Sequence, residues 1–190
     1  MSKFFAYLNR MKYIKRWSLM NFLKEENIME HTQQVSVIAH ALVVIANKVY
    51  NKNLDEKSVV LMAQYHEVSE VITGDLPTPI KYFNPEIKNA YKDLEEKASI
   101  KLLDMLPEEF REEYKNYILP NTDSYEYKLV KTADKISAYI KCVEELKSGN
   151  KEFKKAKDSI EKEIKKMCIE EAEYYMQKFI PAYSLTLDEL

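Results

Sequence analysis

Glycine is nearly absent from this chain, at two residues in 190, and proline contributes only six. A sequence this short of turn formers, and rich in Lys, Glu, Leu and Ile, excludes a turn-rich fold and reads as all-α. Cysteine occurs twice, at Cys142 and Cys168, on separate predicted helices. That spacing excludes a disulfide framework and a zinc finger. Two buried free thiols in a reducing compartment are the expectation. No apolar run approaches the ~20 residues of a membrane span. The N-terminus has basic and aromatic residues but no apolar signal-peptide core. Charge of one sign is missing too: the net charge is −2, with acids and bases interleaved. Nothing marks a surface for nucleic-acid polymers. The expectation is a cytoplasmic protein.

Hydrophobic residues make up 46% of the chain and charged residues 32%. That balance suits one folded domain, 1–190, with a substantial core. The apolar residues recur at helical spacing. Residues 3–13 read as a short amphipathic helix, and a less regular stretch runs to Met29. Residues 30–50 form a long helix with Val35, Ile38, Leu42, Ile45 and Val49 as its stripe. Residues 55–73 follow, with Asp55 and Glu56 suited to the start and Gly74 to the stop. Further helices are predicted at 84–106, from Pro107 to Pro120, at 123–148 and at 150–180. The Lys/Glu run 151–171 reads as a solvated face.

Ionisable side chains concentrate in Tyr65-His66-Glu67-Val68-Ser69-Glu70. An imidazole and two carboxylates within six residues can bind a divalent metal and leave a carboxylate for proton transfer. On a helix, Glu70 would share the face of His66. Of the other two histidines, His31 lies four residues before Val35 and points to the buried side. His40 lies nine residues beyond His31, about 180° around a regular helix. His31 and His66 are therefore the better pair, and His40 reads as structural. Asp134 borders the stripe of its helix, as a salt-bridge partner or as a ligand facing His31, His66 and Glu67. Arg16-Trp17 can hold a phosphate and cover a flat ring or sugar, or can anchor a loop. The stretch Gly74–Lys81 contains two prolines. It reads as a stiff loop that either positions Asp75 and Lys81 over a ligand or merely connects two helices.

In chain order the candidates are His31, His66-Glu67 and Asp134. This resembles the H…HD…D pattern of the HD-domain metal-dependent phosphohydrolases. The similarity extends to Ile14–Met20, Glu30-His31, Thr73–Asn84, Lys131–Asp134, Tyr139–Cys142 and Phe179-Ile180-Pro181. Together these segments resemble the bacterial 5′-deoxynucleotidase family of YfbR type, nearly end to end. The resemblance implies a helical HD-domain bundle, a homodimer, and hydrolysis of 2′-deoxyribonucleoside 5′-monophosphates. It implies a divalent transition metal such as cobalt, manganese or copper, held by His31, His66, Glu67 and Asp134. It further implies that Arg16 contacts phosphate and that Trp17 leaves no room for a 2′-hydroxyl. Asp75 would help read the deoxyribose, and Glu70 would be the catalytic carboxylate. Lys81 falls in the same substrate-binding segment.

One residue departs from the pattern: the family has Asp where this chain has Glu67. A side chain longer by one methylene either still coordinates or ligates poorly. The alternative to an enzyme is then an HD protein that binds nucleotides with weak or no turnover. A helical interaction protein docking through 150–171 would leave Arg16, Glu70 and Asp75 without a task.

Overall fold

The apolar stripes fold as ten α-helices in a computed structural model that describes all 190 residues. They are α1 (Phe4–Leu8), α2 (Ile28–Lys48), α3 (Glu56–Tyr65), α4 (Glu70–Thr73), α5 (Thr78–Lys81), α6 (Pro85–Leu103), α7 (Glu108–Ile118), α8 (Tyr125–Lys147), α9 (Lys154–Lys166) and α10 (Glu170–Lys178). Short 3₁₀ turns extend α1 to Tyr13 and follow α10 at Ile180–Ser184. There is no sheet, only an isolated antiparallel bridge between Lys15 and Asn27. The fold is an all-α bundle.

Caps written into the sequence start the main helices. Asn27 and Glu30 form a reciprocal capping box on α2. Asp55, Asn84 and Ser124 each accept a backbone N–H at the start of α3, α6 and α8. The bundle is centred on α2, α3 and α8, covered by α9 and α10. Leu42, Val59, Leu129, Ile136 and Ile140 are wholly buried there. Each such side chain contributes about 1.5–3 kcal/mol by leaving water. A second apolar cluster joins Phe4, Val68, Leu102, Leu103, Leu106 and Ile118. It anchors Val68, and so fixes the turn on either side of which Glu67 and Glu70 lie.

Four expectations need correction. The helix expected over 55–73 ends at Tyr65, and α4 restarts at Glu70. Between them the backbone makes i→i+3 bonds, including Val68 N–H to Tyr65 and Glu70 N–H to Glu67. His66 and Glu70 are therefore brought together by a turn rather than by one helical face. Residues 78–81 of the expected loop form a helical turn, α5, after Pro77. The helix expected over 150–180 breaks at Cys168, whose φ is +53°. Cys142 is buried, but Cys168 is exposed at that break. His40 lies on the surface, 4.0 Å from Glu56 and away from the other histidines.

Candidate metal centre

Three helices deliver the ligand set. His31 comes from the first turns of α2, His66 and Glu67 from the C-terminal end of α3, and Asp134 from the middle of α8. One ligand atom from each of the four lies within 4.8 Å of the others. The imidazoles of His31 and His66 stand 5.5 Å apart, centroid to centroid.

The outer nitrogens fix how the rings face inward. His66 Nδ1 lies 2.7 Å from the Ala63 carbonyl, so it carries the proton and donates. His31 Nδ1 lies 3.1 Å from Ser137 Oγ, and Ser137 donates its own hydroxyl proton to Gln34 Oε1. Ser137 must therefore accept from His31 Nδ1–H. Both Nε2 atoms are left as lone pairs, buried and with no hydrogen-bond partner. They face carboxylate oxygens: His31 Nε2 is 3.2 Å from Asp134 Oδ1, and His66 Nε2 is 3.3 Å from Glu67 Oε1. Acceptors converging on acceptors in a buried space are balanced by a cation, and outer-shell partners of this kind orient metal-binding histidines. The four residues fit a divalent metal. Glu67 reaches the cluster despite its extra methylene.

Protonation states support the same reading. Burial, outweighing the nearby carboxylates, lowers the His66 pKa to about 4 and keeps the ring neutral. Burial opposes ionisation of Asp134, but Lys131, then His31, hold its carboxyl well below the usual range. Lys131 Nζ is 3.3 Å from Asp134 Oδ2, the oxygen turned away from His31. Glu70 is different. Burial first, then the Glu67 carboxylate beside it, push its carboxyl far above the ordinary value. Its Oε2 is buried without a donor. Burial and Glu67 thus favour the protonated form of Glu70 beside the ligand set.

Arg16 and Trp17 sit on the irregular stretch between the 3₁₀ turn that ends at Tyr13 and α2. Arg16 Nε donates to Glu26 Oε2 at 3.1 Å, the one side-chain hydrogen bond its guanidinium makes within the protein. Its two terminal nitrogens remain available. Asp134, Glu67 and Asp75 are near enough, after Glu26, to help hold Arg16 protonated against burial. Asp75 is half-buried after Gly74, which turns the chain at φ +74°. Lys81 is half-buried, paired with Glu95 at 2.7 Å and stacked 4.8 Å over Tyr91. It contributes charge near Asp75 and Glu67 while its ammonium is already partnered. Glu26, Lys131 and Ser137 escaped notice in the sequence. Glu26 stands in a charged stretch, and only its position opposite Arg16 across the Lys15–Asn27 bridge singles it out.

A family model described as 5′-deoxynucleotidase YfbR-like matches residues 3–183. A 5′-deoxynucleotidase of Vibrio cholerae serotype O1 is 50% identical over 190 residues, covering 100% of this chain and 98% of the relative. Among solved structures, an HD-domain phosphohydrolase from Listeria innocua superposes with a TM-score of 0.84 at 20% identity, covering 95% of this chain and 88% of that one. A cyanophage S-2L HD phosphohydrolase, solved with dA and one catalytic Zn²⁺ ion, superposes with a TM-score of 0.64 at 18% identity, covering 93% of this chain and 95% of that one.

Proposed function

The chain belongs to the YfbR-like family of 5′-deoxynucleotidases, and on that premise we propose that it hydrolyses 2′-deoxyribonucleoside 5′-monophosphates to deoxynucleoside and phosphate. The observation that carries the reading is the convergence of His31, His66, Glu67 and Asp134, with both Nε2 atoms unpartnered, beside an arginine with free terminal nitrogens. We take residues 1–190 as one HD-type phosphohydrolase unit, acting as a homodimer in the cytoplasm on mononucleotides rather than polymers.

His31, His66, Glu67 and Asp134 would hold the metal. Two imidazoles and two carboxylates suit a transition ion, with cobalt, manganese or copper proposed ahead of magnesium. When bound, the metal supplies Lewis acidity, lowering the pKa of water and polarising a phosphoryl oxygen. Arg16 directs its terminal N–H groups at the phosphate and balances its charge. Water adds to phosphorus as the P–O5′ bond breaks, and its protons leave with the phosphate, which returns one to Glu70 after the step. Glu70, kept protonated by burial and by Glu67, gives its proton to the leaving 5′-oxygen. Trp17 lies against the sugar and excludes a 2′-hydroxyl, while Asp75 reads the deoxyribose. Lys131 and Lys81 add positive charge at the rim.

Phosphate release from deoxyadenylate and from adenylate, with cobalt, manganese or copper added to metal-free protein, tests the reading. Release from deoxyadenylate with little from adenylate is expected. Equal rates would remove the deoxy-selectivity. Tight deoxynucleotide binding with no turnover under any metal would make the chain a binding protein instead.

A further inference from the structure

Glu26 makes contacts that no catalytic role requires. A single oxygen, Oε2, accepts from Arg16 Nε at 3.1 Å and from Trp17 Nε1 at 2.8 Å. The two donors belong to adjacent residues. The same Glu26 accepts Arg16 N–H at its backbone carbonyl, at 3.0 Å. Its side chain and that of Arg16 are each 13% exposed.

The backbone around this contact is unusual. Trp17 holds a φ of +60°, a left-handed conformation that a bulky residue adopts only when its surroundings impose it. The neighbouring contacts do so. The Phe153 ring lies 5.3 Å from the indole at 58°. Met20 N–H donates to the Trp17 carbonyl. Glu145 and Glu152 accept the N–H groups of Leu23, Lys24 and Asn21 further along the loop. These contacts fix the loop's backbone and one side of the indole. They do not fix the guanidinium, nor the direction of the indole N–H. Only Glu26 does both.

We infer that Glu26 is a positioning residue that locks Arg16 and Trp17 to each other, so that phosphate anchoring and rejection of a 2′-hydroxyl depend on one carboxylate oxygen. By taking Nε, it turns the two terminal nitrogens of Arg16 outward for an oxyanion. By taking the indole N–H, it sets the plane of the ring that meets the sugar. The inference rests on the assignment of Arg16 to phosphate and Trp17 to sugar made above.

Trp17 is the only tryptophan in the chain, so its fluorescence reports this contact directly. Emission, acrylamide quenching and steady-state kinetics on deoxyadenylate and adenylate are compared for the wild type, Glu26→Ala, Glu26→Gln and Glu26→Asp. Glu26→Ala is expected to increase quenching of Trp17, to raise KM for deoxyadenylate about tenfold with kcat within about threefold, and to reduce the deoxy-to-ribo ratio about tenfold. Glu26→Gln retains an acceptor at the same reach and is expected to keep the emission and most of the ratio. Glu26→Asp keeps the charge but withdraws the oxygen by one methylene. It is expected to behave like Glu26→Ala, and it decides the matter should the alanine variant fail to fold. Unchanged quenching together with an unchanged ratio in Glu26→Ala, or in Glu26→Asp, overturns the inference. Arg16→Ala and Trp17→Ala run alongside as controls on the premise. If neither alters KM or the ratio, the assignment of those residues to substrate fails, while the fluorescence result still decides whether Glu26 positions them.

Discussion

Glu145 and Glu70 are the same side chain buried to nearly the same degree, 2% and 4% exposed, yet the fold gives them opposite protonation states. Glu145, on α8, accepts from Lys141 Nζ at 2.6 Å, from the N–H groups of Leu23 and Lys24 at 2.9 and 3.1 Å, and from Asn150 Nδ2 at 2.8 Å. Against the cost of burial, those donors lower its pKa to about 2. Glu70 faces another carboxylate instead, has one oxygen without any donor, and keeps its proton. One glutamate fastens the loop of Arg16 and Trp17 to the bundle. The other lies beside Glu67, where its protonated form is favoured. Burial pushes both carboxyls up; at Glu145 the donors within reach reverse it, and at Glu70 the neighbouring carboxylate adds to it.

The largest effect expected from disturbing this contrast is at Glu70. Glu70→Gln should slow phosphate release on the order of 10²–10⁴-fold, the range for losing a general acid. Its melting temperature should change little, because a neutral amide replaces a carboxyl whose protonated form is already favoured and can still donate to Glu67. A loss of activity under about tenfold would remove Glu70 from the proton transfer.

Glu145→Ala should do the reverse, costing stability first. It strands Lys141, itself 4% exposed, and frees two backbone N–H groups. Breaking such a buried pair costs about 3–5 kcal/mol, measurable by urea denaturation. KM for deoxyadenylate should rise as the loop loosens. The pH dependence has a definite sign. The folded pKa of Glu145 lies below the ordinary 4.5, so its stabilisation is present above pH 4.5 and is lost as pH falls towards about 2. Over that window the wild type should lose on the order of 3 kcal/mol that Glu145→Gln does not lose. Parallel curves for the two proteins would mean that the donors around Glu145 do not stabilise its charge.

The smallest effect is expected at Glu67, the neighbour that raises Glu70. Its Oε1 reaches within 3.3 Å of His66 Nε2. Glu67→Asp should therefore change metal-dependent activity by less than about tenfold across cobalt, manganese and copper. A much larger gain in the Asp variant would show that the longer side chain compromises the site.

Much of the helix plan was legible because its causes are local. The stripe Val35-Ile38-Leu42-Ile45 and the Asp55 cap each act within a few residues of chain. The breaks at His66 and Cys168 were hidden for the opposite reason. Val68 leaves the helix path to enter the cluster with Phe4 and Leu102, contacts distant in sequence. In the site, residue types with metal-binding chemistry, together with the family resemblance, pointed to His31, His66, Glu67 and Asp134. Glu26 looked like one charge among many, since its value lies in facing Arg16, ten residues away in the chain.

The sequence by itself determined an all-α chain, and a candidate ligand set of two imidazoles and two carboxylates. Periodicity, capping and ligand chemistry are properties of residues and their near neighbours. Only the tertiary structure decided that His31 and His66 both turn unpartnered Nε2 atoms inward, that Glu67 still reaches the cluster, and that Glu26 ties Arg16 to Trp17. It alone decided that Glu70 keeps a proton while Glu145 gives one up. Desolvation and hydrogen bonding act over a few ångströms of space, and the groups that matter there are separated by as many as 122 residues of chain.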